Sequence, residues 1–431
     1  MREAVKGIKL VPDSSLPQRD LLLDAGQVVG RLERGLGMSG PLTIDACERV
    51  RTKYRFGDGL RVLYRIRIGS SEFNVAARVF HKGRSEQAYR RAIDKAVACQ
   101  PLRPVVHDAE LETVFWTFPN DRKLAGLHAL INIPAELGRA FVPAWTQSRM
   151  VAYAPEKCAT AQCLDDRLQV LAYAKLYAGS DGRRIAGVYQ ALRQQQPPAS
   201  KSFVLPRLLS YRETYRMLLL EAVEGERIAD LTGTDMRRGY ELLGGALAEL
   251  HNLPVPESLP PFRRLDVERM RNVARIIGQA RPDVQREAVG LAADLAALWK
   301  PQDEPPVCVH GDVHPKNGIL RGDRLTLIDL DQAGLGHPAA DLGSLLAGLS
   351  YNRLSGLVSR SVALELGDSF LAGYERVRRL PQASSLSWHT AAALLGERAL
   401  RAVNRIRPEG LERLRELLVE AHHILHSGGL R

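Results

Sequence analysis

The chain has 431 residues, 45% of them hydrophobic, which is enough for two or three globular domains with real cores. Apolar runs are too short to span a membrane, residues 1–40 lack a signal-peptide core, and five scattered cysteines (47, 99, 158, 163, 308) form neither a disulfide framework nor a zinc ribbon. The expectation is a cytoplasmic protein in a reducing compartment. The net charge of +11 comes mostly from arginines spread along the chain, so it indicates solvated faces and not a nucleic-acid tract.

Residues 1–40 read as polar and irregular, with one amphipathic piece at 21–36. A β-rich segment follows. Residues 47–68 alternate and are broken by Gly57-Asp58-Gly59, a tight-turn signal, and 73–80 form a further strand. Residues 86–98 read as a helix. Residues 114–127 read as a strand ending in a turn. The order then recurs: a strand at 150–153, a turn at Ala154-Pro155-Glu156-Lys157, a strand at 170–177 and a helix at 182–194. Tyr54 aligns with Tyr153 and Arg78 with Lys175, at tyrosine-to-base spacings of 24 and 22 residues. This pattern reads as an internal duplication of a small β module. Residues 194–200 form a loop, and 217–225 an apolar strand ending in Glu221 and leading to Gly225.

From Asp235 onward helical periodicity dominates, at 240–253, 267–277, 284–298, 341–349, 361–377, 387–406 and 409–425. Asp341 reads as the N-cap of its helix. Arg398, Arg401 and Arg405 share one helical stripe that could meet an anionic ligand, although a solvated stripe is the commoner explanation.

The helices are interrupted by the most informative stretch, 307–331. Val307-Cys308-Val309 is a short strand, and Gly311 and Pro315 exclude a helix after it. Arg321-Gly322-Asp323-Arg324 has turn chemistry, so Leu320 pairs with Leu325 and Asn317 falls opposite Ile328. Asn317 and Asp329 then sit side by side at the open end of one hairpin, with Asp312 on the loop leading in. An Asp on a loop can take a proton from a hydroxyl, and an Asn beside an Asp offers hard oxygen ligands for magnesium on a triphosphate.

His310-Gly311-Asp312-Val313-His314-Pro315-Lys316-Asn317, followed by Ile328-Asp329-Leu330-Asp331, resembles the aminoglycoside phosphotransferase superfamily, which includes choline, homoserine and sugar kinases. Gly336 to Leu342 resembles that family's later Asp-Leu segment. The resemblance covers roughly residues 145–425 by motif order. It implies an α+β, protein-kinase-like bilobal fold: an accessory module at 1–140, an antiparallel N-lobe at 141–223 and a helical C-lobe at 224–431. It implies ATP and Mg2+ as cofactors and a small-molecule hydroxyl as acceptor. Asp312 would be the catalytic base, and Asn317 and Asp329 the metal ligands. Lys175 would hold the nucleotide phosphates, with Glu221 and Val223 offering backbone groups to the adenine. His310, His314, Asp331 and Asp341 would support the loop, Asp341 as its buttress. His251 matches the family's Leu-His helix end, where a structural role is expected.

Two features depart from the family. No Glu lies between Glu156 and Glu213 to pair with Lys175, so Asp181 or a C-lobe Asp would have to serve. Ala154-Pro155-Glu156-Lys157 replaces a Gly-rich loop, and Gly-Lys, which a Walker A sequence needs, does not occur. Three other readings compete: a kinase-like binding or scaffold protein, a kinase acting on Ser or Thr of a peptide, and a metal-dependent hydrolase built on His310, Asp312, His314, Asp329 and His337.

Overall fold

The structure, a computed structural model, describes residues 10–139, 141–197, 203–262, 265–300 and 304–427. The first nine residues of the expected irregular N-terminus and 198–200 of the expected loop lie outside them. Contacts divide the chain into two compact units. One is Pro12–Arg184 with Leu208–Ala222, and the other is Met1–Val11, Ile185–Arg207 and Val223–Arg431.

The first unit is built on two antiparallel sheets. After helices α1 (Arg19–Leu23) and α2 (Ala25–Leu36) come β1 (Ala46–Arg55), β2 (Gly59–Ile68) and β3 (Ser71–Val79). Asp24 caps α2 by accepting from the Gly26 and Gln27 amides. Helix α3 (Ser85–Ile93), β4 (Val105–Asp108) and β5 (Thr113–Thr117) complete a sheet ordered β1-β2-β3-β5-β4. Short helices α4 (Leu127–Asn132) and α5 (Pro134–Leu137) lead to β6 (Gln147–Ala154), β7 (Cys158–Leu164) and β8 (Val170–Tyr177), then α6 (Asp181–Gln195). Helix α6 from Ile185 onward and strand β9 (Phe203–Val204) belong to the other unit, whereas β10 (Leu208–Arg212) and β11 (Met217–Glu221) return to this one. The second sheet runs β6-β7-β8-β11-β10, the strand order of the first. In each, the first strand carries a register irregularity and a helix follows the central third strand.

The likeness extends to side chains. The Tyr54 hydroxyl donates to Asp13 Oδ2 at 2.7 Å, and the Gly57 amide donates to the same oxygen at 3.0 Å. The Tyr153 hydroxyl donates to Asp121 Oδ2 at 2.8 Å, and the Glu156 amide to that oxygen at 2.9 Å. Gly57 (φ +70°) and Glu156 (φ +57°) are both left-handed, as a tight hairpin turn requires. Glycine adopts that conformation freely, and glutamate does so at a cost of roughly 1 kcal/mol.

Contacts from the first sheet and the segment after it offset that cost. Glu156 is buried and accepts a bidentate pair from Arg122 Nε and Nη2 at 2.7 and 2.9 Å. Arg61 Nη1 from β2 lies 3.6 Å from the same carboxylate and donates to the Pro155 carbonyl at 3.0 Å. Burial alone would raise the Glu156 pKa, but Arg122, with Arg78 and Arg61 behind it, holds the carboxyl below its usual value. The β6–β7 turn is thus pinned by residues that precede its own sheet. Arg122→Ala, which leaves Glu156 buried without its bidentate partner, is expected to cost roughly 3 kcal/mol in urea unfolding.

The second unit is mainly helical: α7 (Gly233–His251), α8 (Val267–Ala280), α9 (Gln285–Ala297), α10 (Pro338–Leu354), α11 (Arg360–Glu375), α12 (Ala383–Ala393), α13 (Leu400–Arg405), α14 (Pro408–Glu412) and α15 (Leu414–Ser427). Helices α7 and α11 approach closely because Gly244 and Gly373 put no side chain between them; a Cβ at either would collide with the other helix's backbone. A wide π turn, Leu394–Ala399, joins α12 to α13, so the single helix expected at 387–406 is continuous but underwound there. Two small sheets lie in this unit. One runs β12 (Glu226–Arg227), β14 (Gly318–Arg321), β15 (Arg324–Leu327), β9; the other pairs β13 (Val307–Val309) with β16 (Gly334–Gly336).

Candidate active site

The β14–β15 hairpin has the register expected from its turn residues. Leu320 pairs with Leu325, and the Ile328 amide donates to the Asn317 carbonyl at 2.9 Å. Asn317 therefore sits at the hairpin's open end, in a short 3-10 turn, and is buried. Its Nδ2 donates to the Asp312 carbonyl at 3.0 Å, which closes the 312–317 loop and leaves Oδ1 as the free oxygen of the amide. Asp329 follows the hairpin directly in a left-handed conformation (φ +67°, ψ +55°) that Asp tolerates better than most residues. Asp331 lies within the next 3-10 turn, Leu330–Gln332.

The loop is shaped by buried polar contacts. Asp341 is 1% exposed, and its Oδ2 accepts from the His310 amide at 2.6 Å while Oδ1 accepts from the Gly311 amide at 2.7 Å. His251 Nε2 lies 3.1 Å from Asp341 Oδ2, and its Nδ1 is 2.8 Å from the Tyr374 hydroxyl. Asp341 does not cap helix α10: that role belongs to His337, whose Nδ1 accepts from the Ala339 amide at 3.2 Å. The aspartate sits in the first turn and spends its oxygens on the loop. Gly311 is left-handed (φ +78°), and a Cβ there would strike the Gln332 carbonyl oxygen. His310 is fully buried: its Nε2 donates to the Ile328 carbonyl at 3.0 Å, and its Nδ1 accepts from the Asp312 amide at 3.3 Å. Both ring nitrogens are committed to backbone, so His310 has no lone pair left for a metal. This geometry disfavours the hydrolase reading. His314 likewise turns Nδ1 inward, to the Lys316 amide at 3.2 Å, and burial lowers its pKa.

The Asp312 carboxylate is 28% exposed, and Arg401 Nη2 lies 4.0 Å from its Oδ1. Arg401 is one member of the sequence stripe. Arg398, another, instead donates to the Ser344 carbonyl at 2.8 Å. Lys175 stands on central strand β8, opposite Leu218 of β11 and Thr160 of β7, with its Nζ 5.5 Å from the Tyr177 ring centroid. Arg78 holds the corresponding place on β3 of the first sheet. Glu221 ends β11, and Val223 begins the second unit, so the chain passes between units at this point. Sequence reading gave Asp341 to the loop, His251 a structural role and Arg401 a place in a basic stripe, but it missed Tyr374 and the contacts that join Tyr374 to His251, His251 to Asp341 and Arg401 to Asp312. Their partners lie 30 to 123 residues away, and only Asp341 and His251 carried a motif signal.

Residues 172–380 match the model of the phosphotransferase enzyme family, APH. That segment, just under half of the chain, resembles a phosphotransferase-family domain. Among solved structures, a thermostable mutant of aminoglycoside phosphotransferase APH(4)-Ia, in ternary complex with ADP and hygromycin B, aligns with TM-score 0.50 and 12% identity, over 69% of this chain and 99% of that one. Spectinomycin phosphotransferase APH(9)-Ia, with ADP and spectinomycin, gives TM-score 0.49 and 14% identity over 67% and 97%. APH(3'')-Id from Streptomyces rimosus ATCC10970 gives 0.42 and 20% over 66% and 99%. The APH(4)-Ia likeness shows the kinase-like α+β fold. No curated protein sequence matches the chain. Among the described residues, no helix is long and apolar enough to cross a membrane.

Two measurements follow from the loop's packing. Asp341→Ala strands two buried loop amides and His251, so it is expected to cost on the order of 3 kcal/mol in chemical denaturation. Burial also keeps His337 and His389 neutral, each with its pKa lowered to about 4; the two rings stack at 5.3 Å. Unfolded, they take up protons near pH 6.5, so the folded state is favoured above that value and loses stability as pH falls from 6.5 toward 4. Between pH 6.5 and 5 the loss from His389 alone is on the order of 2 kcal/mol. A His389→Gln variant is expected to show a flatter decline in urea unfolding.

Proposed function

We propose that the protein is an ATP- and Mg2+-dependent phosphotransferase that phosphorylates a hydroxyl of a small molecule. The observation that carries this reading is the assembly of Asp312, Asn317 and Asp329 at one hairpin end, beside a loop held by Asp341. Asp312 is accessible, as a base that must meet an acceptor has to be, and it would orient the hydroxyl and take its proton. Asn317 Oδ1 and the Asp329 carboxylate are hard oxygen donors and fit magnesium. When bound, magnesium neutralises charge on the transferring phosphates. Lys175 would steady those phosphates, and backbone groups at Glu221 and Val223 would meet the adenine. Arg401 sets a positive charge beside Asp312, which favours an acceptor with an anionic group near its hydroxyl.

We also read residues 1–140 as a degenerate copy of the N-lobe at 141–223, ahead of a C-lobe at 224–431. The shared strand order and the repeated Asp–Tyr–turn contacts support this. The basic residue of the central strand is Arg78 in the first copy and Lys175 in the second; a planar guanidinium is a poor substitute for a point-charge ammonium, so the second copy is the nucleotide lobe.

The test is thermal unfolding with magnesium and ATP, beside Asp329→Ala. Wild-type protein is expected to gain several degrees with ATP only when magnesium is present, and the variant to lose most of that gain. No shift at millimolar ATP in the wild type overturns the proposal. With an acceptor in hand, Asp312→Asn is expected to lower kcat by about 100-fold or more with little change in the ATP dependence, read by phosphate incorporation.

A further inference from the structure

In the second unit, three metal-type side chains converge at the rim where α15 packs on α9. Helix α15 buries Leu417, Leu418, Ala421 and Leu425, and α9 buries Leu291, Ala292 and Leu295. His422 and His426 flank that buried stripe of α15 four residues apart, so they stand one above the other on one helix face. Asp294 flanks the stripe of α9 in its last turn. His422 Nε2 lies 3.2 Å from Asp294 Oδ2, and His426 Nε2 lies 3.4 Å from the same oxygen. All three ligand atoms fall within 4.8 Å of one another, and the imidazole centroids are 4.5 Å apart.

These spacings are those of a coordination shell before its ion. Ligands at 2.0–2.2 Å from a tetrahedral Zn2+ are separated from each other by about 3.4 Å. A carboxylate oxygen with two imidazole nitrogens at 3.2 and 3.4 Å already spans two such edges. The donor set, two borderline nitrogens and one hard oxygen, suits Zn2+, Co2+ or Ni2+ better than Mg2+ or Ca2+, which prefer oxygen throughout. The side chains are about half exposed, 57% and 47% for the histidines and 37% for Asp294, so an ion can enter from solvent and keep water as its fourth ligand.

We propose that Asp294, His422 and His426 form a binding site for one borderline divalent cation, Zn2+ being the reference, which clips α15 to α9. The site uses none of the residues assigned to phosphoryl transfer and does not depend on that assignment. The metal would take the Nε2 lone pair of each neutral imidazole, whose proton then sits on Nδ1.

The test is calorimetric titration of Zn2+ into chelator-stripped full-length protein, with thermal unfolding in parallel and no nucleotide present. The expected result is one site per chain and a zinc-dependent rise in midpoint. His422→Ala, His426→Ala and Asp294→Asn should each weaken binding at least tenfold, while their metal-free midpoints stay near wild type. His423→Ala, one residue off the face, should bind as wild type does. Co2+ should give a spectrum without a thiolate charge-transfer band, which separates this site from the five cysteines. Absence of zinc binding in the wild type overturns the proposal, as does binding of unchanged affinity in both His422→Ala and His426→Ala.

Discussion

The candidate site depends on one buried carboxylate. Asp341 takes two backbone N–H groups from consecutive residues, His310 and Gly311, and a third hydrogen bond from His251. Buried polar oxygens without partners are costly, and three donors satisfy these two. The same bonds fix where the chain turns after β13, and so where Asp312 emerges. His310 then carries the constraint across, from the Asp312 amide to the Ile328 carbonyl one residue before Asp329. The loop and the hairpin end are thereby tied by side chains that take no part in the proposed chemistry. Catalysis by positioning needs that kind of support, since a small displacement of the reacting groups is costly.

The sheet-bearing unit shows a different use of a buried charge. Its two sheets share a strand order and a turn held by an Asp shared between a Tyr hydroxyl and a left-handed residue. In the first sheet that residue is Gly57. In the second it is Glu156, whose carboxylate is enclosed by Arg122, Arg61 and Arg78. The guanidinium groups come from β2, from β3 and from the segment after β5. The first sheet thus supplies the counter-charges that let a glutamate hold a glycine's conformation in the second. Such a pair ties the two sheets together because either partner left alone would be a buried, uncompensated charge.

Local features were legible in the sequence because their causes are local. The hairpin register follows from four turn residues, and the helices of the second unit from apolar periodicity. The 307–331 motif places Asp312, Asn317 and Asp329 because strand, loop and strand are contiguous. Strand β7 escaped notice because Cys158–Leu164 is made of small residues with little β signature, although it is the partner that both β6 and β8 need. The cap of α10 was misassigned for a related reason. Asp341 is a good cap by residue type, but a carboxylate that can reach two buried amides is worth more there than at the helix end.

The sequence by itself therefore determined the strand–loop–strand that carries the candidate site, the phosphotransferase likeness and the recurring order of strands, turn and helix, since each is written in residues close together along the chain. Tertiary structure alone decided how the loop is held, which of the stripe arginines stands beside Asp312, what surrounds Glu156, and that Asp294 meets His422 and His426. Those pairings join residues from about 30 to 130 positions apart, where loop-closure entropy gives sequence no local preference and only the packed core brings the partners together.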